Sequence, residues 1–210
     1  MSYLFDKQYW QYGYEQALSL ASKELGETAD IVELCKRSGA RHTEGGDILL
    51  DYLGHHYRIT YPEASISMVG SQETVPVKER ILLLHYLINA KGMPLTHHLV
   101  TFREILDGAS YFTVFHKRAI KPLVDNFGKN PLAMVANAEK LGGRWADYGD
   151  GAANFDAFPM MPVTFVLWRG DEEFGAEGSV LFDASVSDYL SSYALTELCE
   201  SIAWKLIELG

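Results

Sequence analysis

Trp10, Tyr14, Ala17, Ala21 and Leu25 recur at three- and four-residue spacing, a stripe that predicts an amphipathic first helix. Ile31, Leu34 and Cys35 form the next stripe. Thr28 is placed to cap that second helix, and Gly39 to stop it in a left-handed conformation. The period then changes to two. Residues 47–61 predict a β-hairpin about Gly54-His55, which sets Asp51 opposite Arg58 and Leu53 opposite His56. Its other face gathers Ile48, Leu50, Tyr52, Tyr57, Ile59 and Tyr61, so one side is apolar and one polar, as a half-buried antiparallel sheet requires. Residues 65–69 add a third strand.

Val77–Asn89 is apolar on most sides after Lys78, Glu79 and Arg80, which predicts a helix central to the core. Residues 95–103 alternate weakly, as a short strand does. Phe112, Phe115, Ala119, Leu123 and Phe127 predict a helix over 110–127 that Pro122 must kink or split. Asn130-Pro131 is a cap and first turn for a helix that stops at Gly142-Gly143. Short strands follow at 145–148 and 154–158, then buried ones at 163–168 and 179–182. A last helix carries Leu195, Leu198, Cys199, Ile202, Leu206 and Leu209. Grouped strands with helices between them predict an α+β fold with antiparallel sheets packed against several helices, not a repeated βαβ unit.

The 210 residues fit one domain, with a helical segment at 1–40 and an α+β body at 41–210. Tyrosine (12) and phenylalanine (10) are abundant enough to argue against disorder. The formal charge of −10, without a basic run, argues against nucleic acid as a partner. No basic-then-apolar leader opens the chain and no stretch approaches the ~20 apolar residues of a membrane span, so a cytoplasmic, membrane-free protein is expected. Cys35 and Cys199 both fall in apolar helical stripes, where free buried thiols are common.

Nucleotide-binding glycine loops, zinc-protease motifs, a nucleophile elbow and cysteine clusters are all absent. Chemistry-bearing candidates are therefore isolated side chains. The pairs His55-His56 and His97-His98 lie in strand candidates, where neighbours face opposite ways and cannot clamp one ion from the same side. His85 stands inside an apolar helix, so its imidazole is either a core group with a hydrogen-bond partner or a ligand to a cofactor. Within 102–118, Gly108 permits a tight turn before a helix whose free N–H groups suit an anion, Arg103 can clamp a carboxylate, and Tyr111 and Phe115 can line a flat guest. The same aromatic spacing also suits plain core packing. Asp171 and Glu173, with Asp183 nearby, can hold a hard cation or form a solvated acidic turn, and Asp183 can instead cap the turn through Ser185 or pair with a buried arginine.

Several stretches together resemble the domain-of-unknown-function 3786 family of anaerobic bacteria and archaea. They are Leu83-Leu-His-Tyr-Leu87, Phe102-Arg-Glu-Ile105 with Gly108, Tyr111 and Phe115, then Arg118, Pro122-Leu123 and Phe127-Gly128. Pro162, Leu167-Trp-Arg-Gly-Asp-Glu-Glu-Phe174, Leu181-Phe-Asp183 and Tyr189-Leu190 complete the set. Some relatives are similar to fusions with a four-cysteine iron–sulfur domain of corrinoid proteins, which implies corrinoid or one-carbon redox metabolism. This chain has no such cysteines, so no cluster of its own is expected. The resemblance supplies no catalytic residues.

Three readings follow. The first is a non-catalytic binding or accessory protein for a small molecule or a planar anionic cofactor, corrinoid or haem. Its site would draw on His85, Arg103, Tyr111, Phe115, His116, Arg118, Trp168 and Asp183, and its partner would be a redox or corrinoid protein. The second is an enzyme using carboxylates or a metal held by Asp171 and Glu173. The third is a protein–protein module whose aromatic first helix (Tyr9, Trp10, Tyr12, Tyr14) docks a partner or a second copy.

Overall fold

The computed structural model describes residues 2–210, with side chains from Tyr12 onward, so Tyr9 and Trp10 of the expected docking helix lie outside the described side chains. The fold is α+β. It comprises two compact units, the first ending at Gly92 and the second running from Met93 to Gly210.

In the first unit, α1 (Ser2–Gly26) and α2 (Ile31–Ser38) both pack on α3 (Val77–Asn89). Asp30, not Thr28, caps α2: its carboxylate accepts the Glu33 N–H at 2.9 Å, while the Thr28 hydroxyl donates back to Glu24 O. Gly39 ends that helix in the left-handed conformation, φ 72°. A four-stranded antiparallel sheet, β1 (Arg41–His42), β2 (Ile48–Tyr52), β3 (His55–Ile59) and β4 (Ile66–Met68), runs in sequence order.

The hairpin turns at Leu53-Gly54, both at positive φ (47° and 75°), a two-residue turn matched to strand twist. Its register places Asp51 opposite His56 and Leu49 opposite Arg58, which corrects the pairing expected from the pattern. The slip is two residues, so the faces survive it. Ile48, Leu50, Tyr52, Tyr57 and Ile59 are buried as expected.

In the second unit β5 (Leu99–Thr101) pairs with β9 (Glu177–Asp183), which continues through β8 (Met161–Trp168) and β7 (Gly151–Phe158) to β6 (Arg144–Ala146), antiparallel throughout. Phe155, Val163 and Phe182 stand directly opposite one another on one face, as do Ala153, Phe165 and Val180. A Cβ on Gly178 would meet Val124 and Ile120, and one on Gly151 would meet Pro131, so the helices lie close against this face. The helices making these contacts are α5 (Lys121–Phe127), with the residue before it, and α6 (Pro131–Lys140); α7 (Ser192–Glu208) packs on both and on α4 (Gly108–Phe115).

Pro122 splits its helix as expected, by a specific route. With no N–H of its own and a ring that blocks the preceding turn, it is preceded by one π-helical turn, His116–Ile120, in which the Lys121 N–H reaches back five residues to His116 O. The strand foreseen over 95–103 forms only at Leu99–Thr101; residues 95–98 have no regular structure, and His97 stands in the left-handed region at φ 57°.

Candidate functional site

The second unit contains a cavity of about 120 Å³ where β5 gives way to α4. Its floor is aromatic. Phe102 and Phe115 stack with ring centres 3.8 Å apart and planes 8° from parallel, and Phe182 leans on both at 6.3 Å. Phe112 and Ile120 complete one wall, and Gly178, Ser179 and Val180 of β9 the other. The π-helical turn matters here, because a regular helix separates positions five apart onto different faces, whereas Phe115 and Ile120 both reach this cavity.

Arg103 is the cavity's cation. Its guanidinium carbon lies 3.5 Å from the centre of the Phe112 ring, a stacking worth about 0.5–1 kcal/mol at an exposed position. Among the described residues no carboxylate pairs with it. The neighbouring Glu104 is already committed, accepting the Thr101 N–H and hydroxyl at 2.7 Å each, and those donors hold its carboxyl below the usual range. Gly108 lets the chain return beneath Phe102, since a Cβ there would stand 1.7 Å from the Phe102 carbonyl oxygen.

The expected site residues separate into distinct environments. Arg103 and Phe115 meet at the cavity. His116, exposed, tilts toward Phe112 at 5.8 Å, and Tyr111 turns its edge to Tyr193. Arg118 is occupied by α7: it donates to Glu197 at 2.6 Å and to both oxygens of Glu200. Trp168 ends β8, two-fifths exposed, outside the cavity lining. His85 belongs to the first unit; it is half-buried on α3, where burial pushes its imidazole pKa down against the pull of the Glu24 carboxylate.

Asp183 is a clasp. Its Oδ1 accepts the N–H and hydroxyl of both Thr96 and Ser185, and its Oδ2 accepts the His97 N–H at 2.7 Å. Burial pushes the carboxyl up, but the donors on Ser185 and Thr96 outweigh it and hold the group far below the usual carboxylate range. Tyr189 adds a hydroxyl bond to Met93 O, so residues 93–98 are tied to the segment after β9.

Asp171 likewise closes its own loop. Its Oδ1 accepts the Glu173 and Phe174 N–H groups at 2.8 and 2.7 Å, which lowers its pKa, while Glu172 and Glu173 face solvent. Among the described residues no three His, Cys, Asp or Glu side chains converge as a metal site requires. Among the described residues, too, no helix is long and apolar enough to cross a membrane.

Phe112, Ile120, Thr101 and Ser179 escaped sequence reasoning as cavity residues. Phe112 and Phe115 were visible as an i, i+3 aromatic pair, but nothing in the pattern distinguished a cavity wall from core.

A curated relative, the pre-mRNA-splicing factor SLT11 of Candida glabrata, is 24% identical over 196 residues, covering 89% of this chain and 52% of that protein. The chain thus spans about half the length of the relative it matches. No solved structure matches. The family model described as a domain of unknown function (DUF3786) matches residues 30–204, beginning ahead of the stretch that carries the sequence resemblance. With well over half its length so matched, the chain belongs to that family.

Proposed function

We propose that this chain is a non-catalytic ligand-binding or accessory protein whose guest brings an apolar group to the Phe102–Phe115 cavity and an anionic group to Arg103. The observation that carries the reading is a guanidinium without an acidic partner among the described residues, stacked at a cavity floored by aromatic rings. A cation already held against a ring keeps its geometry before a guest arrives, so less ordering is lost on binding.

The volume sets the scale of the guest. About 120 Å³ accommodates a group of roughly benzene size, since an apolar cavity of about 150 Å³ holds benzene. Sites that enclose whole cofactors run to about 300–1,000 Å³. A corrinoid or haem, brought by a redox or corrinoid partner protein, would therefore present an acidic side arm here, with the macrocycle outside. The two buried free thiols suit a reducing, cytoplasmic setting.

Thermal unfolding of the full chain with benzoate, and absorbance titrations with haem and with cobalamin, test the proposal in wild type and Arg103→Ala. A ligand-dependent rise in Tm that vanishes in Arg103→Ala is the expected result. No shift with any of the three ligands, or equal shifts in both proteins, overturns it.

A further inference from the structure

We infer that the cavity receives one side chain of an extended peptide, which adds as a strand to the open edge of β9 and sets a carboxylate against Arg103. This rests on the binding reading above and narrows its ligand class. The register carries it. β5 stops at Thr101 opposite Leu181, so residues 177–180 of β9 have no ladder partner on that edge among the described residues, although β8 pairs them on the other side.

The gap is built into the fold. The Glu104 N–H donates to Thr101 O at 3.0 Å while the Glu104 carboxylate takes the Thr101 N–H and hydroxyl, so the chain is turned out of the sheet by three bonds that also use up the neighbouring acid. Unpaired edge groups template an incoming strand, and natural folds ordinarily blunt or cover such edges. Here the edge faces a cavity, to which Gly178, Ser179 and Val180 contribute. A strand's side chains alternate, so a segment on this edge can point a Leu- or Phe-sized group inward. At about 120 Å³ the cavity fits one such group. The cation at its rim selects a peptide that carries a carboxylate, by the same charge-assisted bonding that arginine gives any carboxylate.

The test uses the full chain and a library of fluorescent octapeptides with Leu or Phe at the fourth position, Glu at the fifth or sixth, and all other positions mixed. Anisotropy should select binders from it. Methylating alternate backbone amides of the best binder should weaken it at least about tenfold, Arg103→Gln should weaken it about tenfold, and benzoate should compete. Arg103 is exposed, so the variant should keep its fold, and the methylated peptide leaves the protein untouched. If benzoate binds through Arg103 but no peptide does, the strand-addition inference fails and the binding reading survives. If neither binds, both fail. Peptide binding indifferent to methylation or to Arg103→Gln overturns the geometry proposed here.

Discussion

Asp183 offers the sharpest quantitative test of how the second unit is held together. Its carboxylate receives donors from Thr96, His97 and Ser185, and Asp183 and Ser185 are each only 4% exposed. Asp183→Ala strands all of these donors, but unequally. Thr96 and His97 are exposed, so water replaces the lost acceptor at little cost. The Ser185 N–H and hydroxyl are shut away, and each such donor left unmade costs about 1–3 kcal/mol. The variant should lose about 2–6 kcal/mol, a large fraction of the stability of an ordinary domain. Asp183→Asn keeps one acceptor oxygen but turns an NH₂ toward existing donors, so it should recover less than half of that loss.

The sign with pH follows from the depressed pKa. The folded state favours the ionised carboxylate, so its contribution is complete above the unfolded value near ~3.9 and is lost as pH falls below it toward the folded value. Urea unfolding followed by tryptophan fluorescence suits the measurement, because Trp145, Trp168 and Trp204 all lie in the second unit. The gap between wild type and Asp183→Asn should be widest at neutral pH and shrink below about pH 4. A loss under about 1 kcal/mol in Asp183→Ala, or a gap that stays constant from pH 7 to pH 3, would refute the clasp.

Three further outcomes are expected. Arg118→Met should cost about 2–3 kcal/mol in urea unfolding, less than a fully buried pair would, because it removes the guanidinium that bonds both Glu197 and Glu200; adding Glu197→Gln and Glu200→Gln should return more than half of it. Gly108→Ala should lose more than about 3 kcal/mol or fail to accumulate as soluble protein, since its Cβ would collide with the Phe102 carbonyl at 1.7 Å and backbone cannot rotate away; a normal Tm would contradict this. Neither cysteine should react with a thiol reagent at pH 8 in the native protein, because burial pushes Cys35 up to about 11 and Cys199 higher still, whereas both should react in urea; prompt native labelling of one thiol would disprove it.

Much of this fold could be read in the chain because periodicity reports which face is buried. α3 was expected at the bounds it has, and the 163–168 and 179–182 strands lie within β8 and β9. The same signal is blind to displacements that preserve parity. A hairpin slip of two residues leaves every apolar side chain inward, and only the left-handed pair Leu53-Gly54 distinguishes the true register. Caps are ambiguous for a related reason, since Thr28 and Asp30 are both competent acceptors and chain direction decides between them.

The candidate site was less legible, because its parts meet across long stretches of sequence. Arg118 finds Glu197 79 positions away, and Thr96 finds Asp183 87 positions away. Pattern marks a cation or an acid as unusual where it borders an apolar run, yet it cannot say which opposite group will quench it. Arg118 looked like a group awaiting a guest, and the fold satisfies it with Glu197 and Glu200; Asp183 read either as such a group or as the cap of its own turn through Ser185, and it makes that cap. Arg103 differs because the only acid beside it in sequence is already held by Thr101. On the reading proposed above, what sets Arg103 apart from Arg118 and Asp183 is not that a charge is present but that local bonds have removed its competitors, and that condition is visible only in three dimensions.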